Sequence, residues 1–486
     1  MADTHLSERL LQSCLAYQRE IARLTLDMPP GEAREARLAD VLTQTSAAHT
    51  PATLDALDHE VLQRLRAWVL MLHVHSTLLP TQQVIQAHQR TTVCVVDGEP
   101  IPLRSSFAAM ATETRRDRRA AIDAAVCGQL RDLTPLLTEQ YRTLGTALES
   151  MGYDTPEAFW NAVLPVEPAT LQDVATDILA QTEEAYLDLL TWAARRRLRL
   201  APGQLRRHDI LALFTFPDYQ AYYQPGIVVP AVQACLHDLG LDPDVDGRLT
   251  WRERLPHFGP PVAVALHIPD EIVVSYAPVQ GLQGTEAWAN ASGRALLWAY
   301  TSPELPAVQR VLGDPALVES NAQLLAGLLA EPQWLAHYVG VRVDTNYTAW
   351  RCLDRLYRLR RALGRFLYTR YVYTTNTLAG ASEAYRDLMM DACHVDYPPE
   401  YALLDLDWDY STLTALRSWG QTAAVVETLQ AHFASDWFRN PDAGSWLQEY
   451  WASASAERLE DQRDRLLGKT WDADVCARSL RPQALA

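Results

Sequence analysis

The chain has 486 residues, 48% of them apolar and 21% charged, with a formal net charge of −17. This length exceeds what one compact core usually supports, so we expect two lobes or one large helical body around a cleft. The acidic surface argues against nucleic acid and anionic membrane as main partners, because both would repel it. No stretch reaches the ~18 apolar residues that a membrane span requires. The opening residues lack the basic-then-apolar order of a secretory signal, so we expect a cytoplasmic protein.

The first 200 residues predict a mostly helical lobe. Apolar residues recur at spacings of three and four over long stretches, such as 57–79 and 175–198. A short β-hairpin is predicted at 91–105, because β-branched residues there flank Asp97-Gly98, a dipeptide that favours a tight turn. Proline and glycine within 201–205 end a helix. We therefore predict a boundary there, with lobes at 1–200 and 206–486.

The second lobe begins with a predicted sheet and continues as helices. Residues 259–281 cluster Val, Ile and Tyr between proline and glycine, which indicates a small sheet beside a cleft. A helix is predicted between Thr285 and Ser302, and helical periodicity continues to the C-terminus. The predicted fold class is predominantly α with a small β element.

Several segments occur in an order that is typical of one enzyme family. In chain order they read VDGEPIPL, ETRRDRRAA, GPPVAVALHIPDEIVVSYAP, LGDPALVES and DLDWDYSTLTALRSW. From about Thr91 to Trp446 this order resembles the thimet oligopeptidase and oligoendopeptidase F family of zinc metallopeptidases. The resemblance implies a clam-shaped helical fold with a deep central cleft, and the small β element beside that cleft.

In that family the active-site helix carries an HExxH motif, whose two histidines bind zinc and whose glutamate activates water. The resemblance aligns this motif with Asn290, Ala291, Ser292, Gly293 and Arg294. The third zinc ligand of the family, a glutamate on the next helix, aligns with Glu319. No histidine lies between His267 and His337, so no shift of the alignment restores the motif.

The replaced residues remove the chemistry of a zinc peptidase. An arginine side chain has no lone pair for a metal, and alanine cannot take a proton from water. We therefore expect no catalytic residue, no bound metal and no cofactor. Arg294 places a positive charge where the resemblance puts a zinc ligand, so an ion pair between Arg294 and Glu319 is predicted to join the two helices.

Other residues of the expected cleft come from the resemblance as well. The family uses tyrosines of a C-terminal segment to polarise the substrate carbonyl, and Tyr410 is the nearest candidate here, with Tyr401 close by. For each of them, packing of the cleft wall is an equally good interpretation. Glu286 lies on the predicted active-site helix and is a further acidic candidate.

The sequence is compatible with three functions. The first is a pseudopeptidase that binds a peptide or protein partner in the retained cleft. The second is an enzyme of another kind that reuses Arg294, Glu319, Glu286 and nearby tyrosines. The third, ranked last, is an active metallo-oligopeptidase with an unusual metal site. The sequence leaves the oligomeric state open.

Overall fold

The computed structural model describes residues 2–49, 60–215, 217–224, 226–279 and 281–467. These residues are mostly helical, with two small sheets, which confirms the predicted predominance of α structure with a small β element. The α-helices are α1 (Ala2–Asp27), α2 (Glu32–Ala47), α3 (Glu60–Thr91), α4 (Ser106–Thr112), α5 (Arg116–Ser150), α6 (Pro156–Val163), α7 (Gln172–Ala193), α8 (Arg207–Leu213), α9 (Pro217–Gln220), α10 (Val228–Asp238), α11 (Gly281–Tyr300), α12 (Ala307–Val311), α13 (Pro315–Leu328), α14 (Pro332–Trp334), α15 (Thr345–Thr375), α16 (Ala381–Cys393), α17 (Ala402–Asp405), α18 (Ser411–Phe433), α19 (Pro441–Ser453) and α20 (Leu459–Leu467). The strands are β1 (Val93–Val96), β2 (Glu99–Pro102), β3 (Leu249–Glu253), β4 (Val262–His267) and β5 (Glu271–Tyr276). Over the described ranges, the helices are all too short or too polar to cross a membrane.

The chain forms two compact units that interleave along the sequence. The first unit comprises Met1–Leu72, Pro217–Thr348 and Arg417–Ala486, and the second comprises His73–Phe216 and Ala349–Leu416. The segment 201–205, where the sequence predicts a boundary between lobes, lies inside the second unit.

A three-stranded sheet organises the first unit. Its strand order is β3-β5-β4, with β3 parallel and β4 antiparallel to β5. On one face, Val264 and Val273 pack with Leu26 of α1 in a buried cluster. On the other face, Trp288 of α11 contacts Trp251, with 5.4 Å between the ring centroids. The sheet therefore fixes α11, the helix that carries the candidate site.

The predicted hairpin is present in the second unit. Strands β1 and β2 are antiparallel, and Asp97 (φ 52°) and Gly98 (φ 80°) form the turn between them. Positive φ at both central residues is what a two-residue hairpin turn of this hand requires. Beneath the hairpin, Val96 packs with Met110 of α4 and Ile122 of α5.

A buried arginine fastens the helices of the second unit. Arg360 of α15 is fully buried, and its Nε donates to the carbonyl oxygen of Ala392 at 2.6 Å. Its Nη1 donates to Thr182 of α7 at 2.8 Å, and its Nη2 pairs with Glu183 at 2.5 Å. This one side chain therefore ties α15 to α7 and α16.

Candidate functional site

One face of α11 is only partly covered. Ala287, Asn290 and Arg294 are partly exposed, whereas Ala291 and Ser292 are fully buried. The spacing of three and four residues places the partly exposed side chains on a single face of the helix. Asn290 and Arg294 thus lie one turn apart on one face, which is the placement that two zinc ligands would need.

The predicted ion pair between α11 and α13 is present. Arg294 Nη2 donates to Glu319 Oε2 at 2.6 Å. The exposed fractions of the two side chains are 34% and 32%. Because water competes with a pair of this exposure, we expect it to contribute only about 0–1 kcal/mol to folding stability. Its main consequence is that this face carries two side chains whose charges cancel and which can both form hydrogen bonds.

The two helices meet most closely at Gly293, one of the positions within the degenerate motif. A Cβ atom there would lie 2.4 Å from the carbonyl oxygen of Asn321 and 2.8 Å from Cα of Ala322, so only glycine fits. Asn321 is buried, and its side-chain amide donates to the carbonyl oxygen of Gly293. Trp451 of α19 donates in turn to Asn321 Oδ1 at 2.7 Å. The sequence analysis did not predict this contact. The pattern that indicates it is a pair of small residues, Ala289 and Gly293, one turn apart on α11.

A buried arginine, Arg417, holds the start of α13, the helix that carries Glu319. Asp314 caps the helix, accepting from the backbone N–H of Ala316 at 3.0 Å. Arg417 donates to both carboxylate oxygens of Asp314, at 2.8 and 2.6 Å, and also to Glu460. Burial alone would lower the pKa of Arg417, but the charge and hydrogen bonds of Asp314 and Glu460 raise it above its ordinary value. Arg417 therefore stays charged and holds the first turn of α13 in place.

The donor set at this face does not fit zinc. Zinc in peptidase sites takes three protein ligands with lone pairs, usually two histidines and a carboxylate. Glu319 supplies a carboxylate, but Arg294 carries only N–H donors and Asn290 only a weakly coordinating amide. In the part of the chain that the structure describes, no group of three or more His, Cys, Asp and Glu side chains is placed to hold a metal ion.

Glu286, the other acidic candidate on this helix, is almost fully buried. Its exposed fraction is 8%, and it lies two turns before Arg294 on α11. Burial at this level favours a role inside the first unit.

Tyr401, a candidate carried over from the resemblance, lies in the core of the second unit. Its hydroxyl donates to Asp123 Oδ1 at 2.9 Å, and the guanidinium of Arg207 lies 3.8 Å from its ring centroid. Burial raises the pKa of this phenol, so it stays protonated. Its predicted contact with a bound peptide stays a prediction.

Tyr410 is also buried in the second unit. Its ring packs edge-on against Trp160 and Tyr373, with centroid separations of 5.5 Å in both cases. Its hydroxyl has no hydrogen-bond partner among the described residues. Burial raises the pKa of Tyr410, so this hydroxyl too is neutral. The packing is that of a core aromatic residue, and a role in polarising a carbonyl stays a prediction.

A scan against protein-family models finds no match for this chain, and a search of curated proteins also finds none. The resemblance to the oligopeptidase family therefore rests on the order of motifs in the sequence.

Proposed function

We propose that this protein is a zinc-free relative of the thimet oligopeptidase and oligoendopeptidase F family that binds a peptide or protein segment without cleaving it. The observation that carries the proposal is the ion pair of Arg294 with Glu319, at two positions where the resemblance expects zinc ligands. The proposal includes the clam-shaped body and central cleft of that family, and a cytoplasmic location.

The residues at the motif positions explain why binding is proposed and hydrolysis is not. Peptide hydrolysis by this route needs a metal to polarise water and a carboxylate to take its proton. The methyl group of Ala291 is buried and cannot accept a proton. The guanidinium of Arg294 cannot coordinate a metal. The family's route to an attacking hydroxide is therefore absent from this face.

The same face offers hydrogen-bonding groups that suit a peptide backbone. The amide of Asn290 has both a donor and an acceptor, as a peptide unit does. Arg294 uses only Nη2 in its bond to Glu319, so further N–H groups of a partly exposed guanidinium can reach a carbonyl oxygen. Glu319 Oε1 can accept a peptide N–H. Together these groups could hold an extended segment along the partly exposed face of α11.

The proposal is tested by measuring peptide binding directly. The probe is a fluorescein-labelled pool of random decapeptides, titrated with the purified protein and followed by fluorescence anisotropy. We expect saturable binding that weakens about tenfold in Arg294→Gln, because a charge-assisted hydrogen bond to the ligand is lost. A matched control is Arg439→Gln, which removes the partner of Asp436 in another exposed ion pair of the first unit.

Equal affinity in the natural protein and both variants would contradict the proposed site. No saturable binding by the natural protein would contradict the function itself.

A further inference from the structure

Two arginines of α15 share a single carboxylate in the second unit. Arg361 Nη2 donates to both carboxylate oxygens of Asp405, at 3.1 and 3.0 Å. Arg365, one turn further along the helix, donates from Nε to the backbone carbonyl oxygen of Asp405 at 3.0 Å. The hydroxyl of Tyr385 donates to Asp405 Oδ2 at 2.7 Å and fixes the carboxylate from the other side.

Among the described residues, Asp405 is the one carboxylate within ion-pair distance of either arginine, so one positive charge is left without a counter-charge. Burial alone would raise the pKa of Asp405, but Arg361 and Arg365 hold it below its ordinary value, so the carboxylate is ionised. Two guanidinium groups therefore face one negative charge. Like charges one turn apart on a helix repel each other.

Several N–H groups of the two arginines are open to a ligand. The exposed fraction is 33% for the side chain of Arg361 and 23% for that of Arg365. Nε and Nη1 of Arg361 and both Nη atoms of Arg365 make no hydrogen bond to the described residues, and none of these atoms is sealed from solvent. They are accessible donors on partly exposed side chains.

We propose that Arg361 and Arg365 form a binding site for an oxyanion, the carboxylate or phosphate group of a small ligand. The planar fork of an arginine matches two oxygens of such a group, and two forks one turn apart can engage it together. A bound anion would neutralise the excess charge while Asp405 keeps its bonds to α15. This site lies wholly in the second unit and does not depend on the function proposed above.

Isothermal titration calorimetry of the full-length protein tests the site, with inorganic phosphate and glutarate as separate probes. We expect saturable one-to-one binding of at least one probe, and the tighter of the two identifies the ligand group as phosphate or carboxylate. Arg365→Gln should weaken that binding about tenfold, since it removes one charge-assisted contact. Arg386→Gln is the control, because it removes an exposed arginine of the same unit that pairs with Asp396 instead.

A second variant separates an anion site from a purely structural cluster. Asp405→Asn removes the competing negative charge and keeps the shape of the side chain, so it should tighten binding of the probe about tenfold. A structural cluster would lose stability in this variant and gain no affinity. The inference is overturned if neither probe binds saturably, or if Arg365→Gln and Asp405→Asn both leave the affinity of the natural protein unchanged.

Discussion

Replacing Asn290 and Arg294 together by histidine should create a zinc site. The two positions lie one turn apart on the partly exposed face of α11. Glu319 of α13 already contacts the side chain at position 294. Two histidines at this spacing and a carboxylate from a neighbouring helix form the three-ligand set of zinc peptidases. Ala291 stays unchanged in this variant, because its side chain is buried and metal binding does not need it.

The expected size of the effect follows from the exposure of the original pair. Without zinc, the variant loses an ion pair that is one-third exposed, at a cost of no more than about 1 kcal/mol. With free zinc at 100 times the dissociation constant, binding raises the free energy of unfolding by ~2.7 kcal/mol. The net gain with zinc should therefore be roughly 2 kcal/mol relative to the natural protein.

Urea unfolding with and without zinc measures this gain, and metal analysis of dialysed protein gives the stoichiometry. We expect one zinc per chain in the double variant. Adding Glu319→Gln is the matched control and should weaken zinc binding strongly, because a ligand is removed. If the double variant binds no zinc, or if Glu319→Gln makes no difference, then the assignment of these three positions to a former metal site is wrong.

Three further predictions concern the helix pair and the tyrosine segment. Gly293→Ala should lower the free energy of unfolding by roughly 1–3 kcal/mol in a urea titration, because the new methyl group overlaps the backbone of Asn321; an unchanged midpoint would contradict this close contact. Desolvation, and then the neighbouring carboxylate of Asp407, raises the pKa of Asp409 from 3.8 to about 6. The unfolding free energy should therefore fall as pH rises through this window, only modestly because the side chain is exposed to solvent, and Asp409→Asn should remove that fall. Tyr410→Phe removes an unpartnered buried hydroxyl and should leave the thermal midpoint unchanged or higher, whereas a clear loss would show that the hydroxyl is satisfied.

The sequence predicts several local features because their physical causes are local. The hairpin follows from Asp97-Gly98, which tolerates positive φ at both turn positions. Helix α11 follows from apolar periodicity. The ion pair of Arg294 with Glu319 required only that both residues lie on neighbouring helices, and opposite charges there attract.

Other features depend on residues that are distant in the chain, and they could not be predicted from the sequence. Strand β3 is only five residues long, and its parallel pairing with β5 leaves no hairpin signal. Three of the four divisions between the two units fall inside helices α3, α15 and α18, where neither proline nor glycine marks them, and only the division at Phe216 and Pro217 has a proline beside it. Tyr401 is buried against Asp123, 278 positions away, and no local pattern predicts such a pair.

An assay of peptide cleavage in the presence of zinc decides whether this chain binds peptides without hydrolysing them. The purified natural protein is incubated with added zinc and a pool of internally quenched peptides, with and without 1,10-phenanthroline. We expect no zinc to be retained by the protein, and no cleavage that the chelator abolishes. Zinc-dependent cleavage that stops when the chelator is added would contradict it.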